Sequence, residues 1–238
     1  ILATNAGVGI LPGPSTSTHS ATTTLNGEGA VTIDVPAGVA QDDATNTNTA
    51  ASQFEVTYDT VAPTVVISGP TSDTNSAFTA TFTFSEAVIG FTGIDIVAGN
   101  ASVSDFTVIN SLSYTATITP TADGTVTLDV GVNAAQDGAG NNSVAAAQYS
   151  TNFDATSPTL VISSNVVGGV TNSSFTATFT FSEDVTGFSS SDVVATNATV
   201  GIVSSTSASI YTATITPSND GEVTLNVGAN SAQDVAGN

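Results

Sequence analysis

Apolar and polar side chains alternate along several stretches of this chain. In the segment FTATFTF at 78–84 every second residue is apolar, and threonines fill the positions between them. The segments YTATITP at 114–120 and VTLDV at 126–130 show the same alternation. Because successive side chains of a β-strand point to opposite faces, each stretch predicts a strand with one buried and one solvated face. No stretch has the spacing of an amphipathic helix.

Seven runs of this kind follow one another between residues 62 and 153, with turn residues between them. The sequence TADG, for example, predicts an Asp-Gly hairpin turn between the fifth and sixth runs. Seven short antiparallel strands in about 95 residues are typical of an immunoglobulin-like (Ig-like) β-sandwich. The predicted strands are 63–68, 76–84, 94–98, 102–109, 113–119, 125–130 and 144–153.

The whole pattern repeats along the chain, which predicts an elongated, all-β array of tandem Ig-like modules of about 95 residues. FTATFTFSE occurs at 78–86 and at 175–183, and YTATITP occurs at 114–120 and 211–217. VTIDV at 31–35 returns, with small changes, in both later copies.

The repeat predicts three modules with different contents. Residues 1–58 form the C-terminal part of a module whose first strands are missing, and 59–153 form a complete module. Residues 154–238 form a module that lacks its last strand. We therefore expect the chain to be a window of a longer repetitive protein.

His19 aligns with Tyr114 and Tyr211, which predicts an inward-facing packing position rather than a catalytic one.

Composition excludes several classes of function. The chain contains no Lys, Arg, Cys, Met or Trp, and its 20 carboxylates give a net charge of −20. The chain therefore has no cluster of Lys or Arg that could bind a nucleic acid or an anionic lipid surface. Disulfides and thiolate metal sites are excluded, and no apolar run approaches the roughly 20 residues of a membrane helix. The N-terminal residues lack the charged head of a signal peptide, so we expect targeting information to lie outside this chain.

Catalysis is not expected either. Cys and Lys nucleophiles are missing, and no Ser-His-Asp arrangement recurs among the modules. We therefore predict that the protein is not an enzyme.

One acidic loop returns in every module. It is QDDATN at 41–46, QDGAGN at 136–141 and QDVAGN at 233–238. Antiparallel strands run alternately up and down, so the number of strands predicts which loops share an end of the module. This argument gathers the linker residue Asp59 with Glu86 and Asp137. One module later it gathers Asp154, Glu183 and Asp234.

Three carboxylates that converge repel one another unless a cation lies between them. Calcium suits such a site better than magnesium, because it accepts six to eight oxygen ligands in a flexible geometry. Asp123, in the hairpin of the preceding module, and Asn141 are further candidate calcium ligands. The alternative is a plain solvated turn, since Asp, Asn and Gly favour turns without any metal. Second-rank candidates are Asp95, Asp184, Asp192 and Asn238.

Several motifs together resemble the bacterial Ig-like repeats of very large surface adhesins of the biofilm-associated type. These motifs are FSEDVTGFSSSDV, YTATITPSNDGEVTLNV, QDVAGN and the linker DTVAPT. The resemblance implies an extracellular array at the cell surface, calcium at the module junctions and a stalk that carries a binding tip elsewhere. It implies junction ligands at Asp59, Asp137, Asp154 and Asp234. Two features depart from the pattern: QDDATN lacks the glycine, and the linker DATSPT has Ser-Pro in place of Ala-Pro.

Three classes of function stay open. The first is a structural extender of a surface adhesin or extracellular fibre, whose partners are the neighbouring modules and whose cell-surface or matrix ligand is bound by other parts of the protein. The second is a self-assembling filament or surface-layer subunit. The third, a carbohydrate- or protein-binding module, requires an exposed aromatic cluster.

Overall fold

The computed structural model describes residues 1–11 and 17–238, and the regular structure in them is almost entirely β-strand. No helix in these two ranges has the length and apolarity required to cross a membrane. In chain order the strands are β1 (Leu2–Thr4), β2 (Ala6–Leu11), β3 (Ser20–Leu25), β4 (Gly29–Asp34), β5 (Phe54–Tyr58), β6 (Val65–Ser68), β7 (Phe78–Phe84), β8 (Ile96–Gly99), β9 (Ala101–Asn110), β10 (Ser113–Pro120), β11 (Gly124–Val130), β12 (Tyr149–Phe153), β13 (Leu160–Ser164), β14 (Phe175–Phe181), β15 (Val193–Thr196), β16 (Ala198–Val200), β17 (Ser204–Ser205), β18 (Ile210–Pro217) and β19 (Thr224–Val227).

The chain divides into two compact units. The first consists of 1–65, 84–91 and 132–145, and the second consists of 66–83, 92–131 and 146–238. The linker that begins at Asp59 lies in the first unit, and the linker that begins at Asp154 lies in the second.

The strands predicted between residues 62 and 153 form two antiparallel sheets. One has the order β6-β7-β10-β9, and the other has the order β12-β11-β8. Alternate side chains of β7 and β11 are buried, as the sequence pattern predicts: Ala80 and Phe82 in β7, and Val126, Leu128 and Val130 in β11. The all-β sandwich is therefore confirmed.

Two predicted strands differ from the observed ones. The last strand begins at Tyr149 rather than at residue 144, because the segment before it forms single hydrogen bonds instead of a ladder. The amide of Val144 donates to the carbonyl of Pro63 at 3.0 Å, within the first unit. The third predicted strand starts with a 3-10 turn over Gly93–Asp95 before it becomes β8.

Residues 154–238 repeat the arrangement with a smaller second sheet. The order is β13-β14-β18-β16, with β17 also on β18, and β15 pairs with β19. Aromatic rings form the centre of its core, where Phe188 contacts Phe179, Phe181 and Tyr211 at centroid distances of 5.2–5.3 Å. Edge-to-face contacts of this kind add to the energy of simple apolar burial.

The described residues among the first 58 form two small sheets, β1-β4-β5 and β2-β3. Every residue of β3 is exposed, and so is His19, which comes just before it. The prediction of an inward-facing position for His19 is therefore wrong. Its counterpart Tyr114 is buried because β10 lies between β7 and β9, whereas β3 pairs only with β2 in the described part of the chain.

Candidate metal centres at two linkers

The carboxylates of Asp59, Glu86 and Asp137 converge in the first unit. Each offers one oxygen, and these oxygens all lie within 4.8 Å of one another. Asp137 is buried with 3% of its surface exposed, and the other two residues are half-buried. Strand direction therefore predicted the same group of three residues whose carboxylate oxygens the fold places within 4.8 Å of one another.

Backbone pairing between two loops brings Glu86 and Asp137 together. Ile89 and Gln136 exchange both amide-to-carbonyl hydrogen bonds, at 2.8 and 3.0 Å, in a short antiparallel bridge. The loop that carries Glu86 is anchored by the buried side chain of Phe91, which packs edge-on against Phe84.

The linker that carries Asp59 is attached to the start of the same loop. The amide of Ser85 donates to the carbonyl of Thr64 at 2.9 Å, and the amide of Thr64 donates to the Ser85 hydroxyl at 3.0 Å. Each of the three carboxylates thus belongs to a segment that is held by backbone hydrogen bonds.

A second cluster of the same construction lies in the second unit. It consists of Asp154, Glu183 and Asp234, again with one oxygen from each within 4.8 Å of the others. Thr186 and Gln233 form the equivalent bridge between the loops, with hydrogen bonds of 2.7 and 3.0 Å. Two linkers in different units therefore carry the same arrangement of three carboxylates.

Each loop aspartate also organises its own loop. The Oδ1 atom of Asp137 accepts hydrogen bonds from the amides of Ala139 and Asn141 at 2.9 and 2.8 Å, and Oδ2 accepts from the Asn141 side chain at 2.7 Å. Asp234 accepts hydrogen bonds from the amides of Gly237 and Asn238 and from the Asn238 side chain.

The recurring glycine has a backbone reason. Gly140 and Gly237 both have φ of 94°, a left-handed conformation that residues with a Cβ atom seldom adopt. The shape of the turn therefore favours glycine at this position, whether or not an ion binds.

The loop at 41–46 keeps this shape without the glycine. Asp42 accepts from the amides of Ala44 and Asn46, both at 2.9 Å, and Thr45 takes the left-handed conformation with φ of 69°. Asp42 belongs to no cluster of three candidate ligands among the described residues. It thus shares the internal hydrogen bonds of Asp137 but not its carboxylate neighbours.

Burial and like charges raise the pKa of the glutamate in each cluster. For Glu86 the cause is desolvation, followed by the charges of Asp59 and Asp137. For Glu183 it is desolvation, followed by the charges of Asp154, Asp234 and Asp123. A cation between the carboxylates would reverse these effects, because it stabilises the charged form.

The pKa values of the loop aspartates shift in the opposite direction. Burial raises the pKa of Asp137, but hydrogen bonds from the Asn141 side chain and from the amides of Asn141, Ala139 and Gly140 outweigh it and leave the pKa below its usual value. Asp234 has a lowered pKa from the same balance, with Asn238 as the main donor. Both aspartates are therefore held in the charged form that a cation requires.

Asn141 contributes its amide nitrogen toward the linker. Its Nδ2 donates to the carbonyl oxygen of Asp59 at 3.1 Å as well as to Asp137. Asn238 donates likewise to the carbonyl of Asp154 at 2.7 Å. The asparagine of the motif thus ties the loop to the linker, and its place is that of a positioning residue beside the carboxylates.

Asp123 lies near the second cluster and holds the linker itself. Its Oδ1 accepts from the amide of Ala155 at 2.8 Å, and its Oδ2 accepts from the Thr156 hydroxyl at 2.5 Å. It is not one of the three converging ligands, although its charge reaches Glu183. In the first unit Glu28 accepts hydrogen bonds from the amide and the hydroxyl of Thr60 in the same way.

The linker threonines are the residues that sequence analysis missed. Thr60 directly follows Asp59, whereas Thr156 is the second residue after Asp154, so the two hydroxyls do not align in the repeat. Glu28, which has the longer side chain, accepts from Thr60, and Asp123, which has the shorter one, accepts from Thr156.

Two second-rank candidates serve local structure instead. Asp95 accepts hydrogen bonds from the amide and hydroxyl of Thr92 at 2.9 and 2.7 Å, and Asp192 accepts the same pair from Ser189. Both residues cap the 3-10 turns that precede β8 and β15.

The chain carries no side chain of its own that could neutralise the clusters at neutral pH. It contains no Lys or Arg, and its one histidine is exposed beside β3. The charge of each cluster can therefore be balanced only by protons or by cations from solution. Hard oxygen ligands of this type fit calcium.

Comparison with known proteins identifies the family. Residues 59–153 and 154–238 each match the family described as bacterial Ig-like domain. The chain belongs to this family. Its modules are tandem Ig-like domains of about 95 residues each.

Solved structures give weaker similarity, and curated sequences give none. The crystal structure of invasin, a bacterial integrin-binding protein, matches with 16% identity and a TM-score of 0.37, covering 94% of this chain and 49% of that one. A marsupial T cell receptor matches with 11% identity and a TM-score of 0.29, covering 94% and 77%. This chain thus spans about half the length of the invasin structure. Among curated proteins none is significantly similar to the chain.

Proposed function

We propose that this chain is part of the stalk of a bacterial cell-surface adhesin or extracellular fibre, stiffened by calcium bound at its module junctions. In this proposal the modules are 1–58, 59–153 and 154–238, and each junction lies at a linker aspartate. The observation that carries it is the repeated cluster of three carboxylates at Asp59 and at Asp154. The chain would act as a spacer, and a ligand would be bound by other parts of the protein.

The position of the clusters supports a role in stiffness. Each cluster joins a linker to two loops of the following module, and the carboxylate of Glu28 or Asp123 holds the same linker from the preceding module. An ion bound there would fix the linker against the module that follows it. Pro63 and Pro158 further restrict the linker backbone.

The charge of the chain supports an extracellular setting. Weak calcium sites of extracellular modules have dissociation constants of about 10⁻⁴ to 10⁻³ M, which suit environments where calcium is abundant. With a net charge of −20 and no Lys or Arg, such ions would stabilise the protein without competition from internal Lys or Arg ion pairs.

A carbohydrate-binding role has less support. All aromatic residues lie in the described part of the chain, and Phe54 is the one that is exposed. Stacking of sugar rings generally uses several exposed aromatic side chains. A self-assembling filament remains the alternative, and it would appear as an ordered polymer in electron micrographs.

The proposal is tested by thermal unfolding and small-angle X-ray scattering of the whole chain in calcium and in a chelator. We expect calcium to raise Tm and to increase the radius of gyration, because ions that bind only the folded state stabilise it and replace repulsion with shared ligation. Magnesium at equal concentration is the control and should have a smaller effect. Equal Tm and equal radius of gyration in calcium and in chelator would contradict the proposal.

A further inference from the structure

The turn between β3 and β4 contains an asparagine that is followed by a glycine. Among the asparagines of the chain, Asn26 is the one with this neighbour. The main-chain nitrogen of the next residue can attack the side-chain carbonyl carbon of an asparagine and close a succinimide ring. A glycine obstructs this attack least, because it has no Cβ atom and its backbone is the most adaptable. The pair Asn26 and Gly27 therefore has the local chemistry for loss of the side-chain amide.

Neither reacting group of this turn is engaged elsewhere in the described part of the chain. The side chain of Asn26 is exposed and makes no hydrogen bond with a described residue, and the amide of Gly27 donates none to such a residue. By contrast, the side chains of Asn5, Asn48 and Asn141 each donate to a main-chain carbonyl. The attack by Gly27 therefore does not first have to break a hydrogen bond of either reacting group.

The complete module shows the same turn with the same exposure. Thr121 aligns with Asn26 and is exposed, although its module contains both sheets. The amide of Thr121 donates to the carbonyl of Asn100 at 3.0 Å, and the amide of Asn26 donates to the carbonyl of Asn5 at 3.1 Å. The position of Asn26 is therefore open to solvent in a complete module as well.

We propose that Asn26 is a site of spontaneous deamidation, with water as the co-reactant. The amide nitrogen of Gly27 gives up its proton to solvent and forms a bond to Cγ of Asn26. The bond from Cγ to Nδ2 breaks, and Nδ2 takes a proton from solvent and leaves as ammonia. A water molecule then opens the succinimide at either of its carbonyl carbons, which gives aspartate or isoaspartate at position 26.

The product changes the segment that holds the first linker. Glu28 follows two residues after Asn26 and accepts hydrogen bonds from the amide and the hydroxyl of Thr60. The side chain of Asn5 holds the turn in place, because it donates to the carbonyls of Gly27 and Glu28 at 2.6 and 3.2 Å. Isoaspartate adds a carbon atom to the main chain just before Gly27, so it shifts Glu28 away from Thr60 and loosens the linker.

The test ages the whole chain in mildly alkaline buffer beside the variant Gly27→Ala. The variant should fold like wild type, because a Cβ atom at Gly27 would lie 3.7 Å from the nearest atom, Oδ1 of Asn5, and Gly27 has no left-handed conformation. Equal Tm values of the fresh proteins check this. Asn26→Gln is a second control, which keeps the side-chain amide but places it one carbon atom farther from the main chain.

Peptic digestion in acid and mass spectrometry locate each converted asparagine, and labelling by an isoaspartyl methyltransferase detects isoaspartate. We expect ammonia release to reach one molecule per chain as the Asn26 peptide is converted. Gly27→Ala and Asn26→Gln should lose this phase over the same period.

Hydrogen exchange by NMR measures the effect on the linker. The amide of Thr60 should exchange faster in aged wild type than in fresh wild type, and ageing should leave it unchanged in Gly27→Ala. Three results would overturn the proposal: an intact Asn26 after ageing, equal conversion of Asn26 in Gly27→Ala, or exchange of the Thr60 amide that full conversion does not alter. None of these results depends on calcium, so the proposal is independent of the proposed junction function.

Discussion

At the scale of single residues, the aspartate of the acidic loop has two kinds of contact: hydrogen bonds within its own loop, and two neighbouring carboxylates. Asp137 accepts hydrogen bonds from its own loop and also faces Asp59 and Glu86. The first role is that of a plain turn, and the second is the one that the proposed calcium site would use. Asp42, which has only the first role among the described residues, provides a comparison within the same chain.

Substitution of a loop glycine should destabilise the protein where that glycine has a left-handed backbone conformation, and should have little effect elsewhere. Gly140→Ala places a Cβ atom at φ of 94°, which costs roughly 1–2 kcal/mol in the free energy of unfolding. Gly138, two residues earlier, has open space around it and is absent from the left-handed positions, so Gly138→Ala should be neutral within about 0.5 kcal/mol. Chemical denaturation of both variants measures the difference, and equal losses would contradict the turn geometry.

The cluster glutamates should make stability depend on pH when calcium is removed. The folded-state pKa of Glu86 and of Glu183 is raised above the ordinary 4.5, so the folded state binds protons more readily than the unfolded state. Their contribution is fully present below that ordinary value and is lost as pH rises through the raised value. Asp137 and Asp234 act in the opposite direction, since their lowered pKa contributes stability that is lost only in stronger acid.

The effect of the double variant Glu86→Gln with Glu183→Gln on the free energy of unfolding should therefore have opposite signs with and without calcium. Without calcium at about pH 7 it should be more stable than wild type, by at most about 1 kcal/mol per site, and the gain should shrink toward about pH 4. With calcium it should be the less stable protein, because it lacks two ligands. Unfolding curves at several pH values, with calcium and with chelator, measure this, and a variant that is less stable in both solutions would contradict the repulsion argument.

At the scale of elements, the alternation of side chains predicted the strands well. β7, β10 and β11 begin and end within two residues of the predicted runs, because each buries one face and has a strand on either side. The start of β12 and the position of His19 were not predictable in this way. Both depend on which strands lie beside them, and a single strand's sequence does not contain that information.

The carboxylate clusters were predictable because strand direction alone decides which loops share an end. The hydrogen bonds that Glu28 and Asp123 accept from the linkers were not predictable, since their partner threonines occupy different positions in the two linkers. The left-handed turn of Thr45 was hidden as well, because its sequence lacks the glycine that signals it.

Asp123 should hold its linker independently of calcium. Asp123→Ala removes the acceptor of the Ala155 amide and of the Thr156 hydroxyl, so exchange of the Ala155 amide should accelerate both with calcium and with chelator. Asp220→Ala, in the equivalent hairpin of the last module, is the matched control and should leave that amide unchanged. Hydrogen exchange by NMR measures it, and acceleration confined to the chelator would mean that Asp123 acts through the ion instead.

At the scale of the whole molecule, repetition is the property from which the function is inferred. Two linkers in two compact units carry the same type of carboxylate cluster and the same loop bridge. At each linker a further carboxylate, Glu28 or Asp123, accepts hydrogen bonds from the linker residues. A chain with no Lys or Arg leaves these charges to ions from solution. Under the proposed function, calcium would act in the same way at both linkers.

Equilibrium dialysis with radioactive calcium tests this central claim most directly. The two clusters predict two ions per chain, with dissociation constants of roughly 10⁻⁴ to 10⁻³ M. Asp137→Ala should lower the number to one, and Asp42→Ala, which removes the same type of loop hydrogen bonds, should leave it at two. The absence of saturable binding, or an equal loss in both variants, would contradict calcium at the junctions.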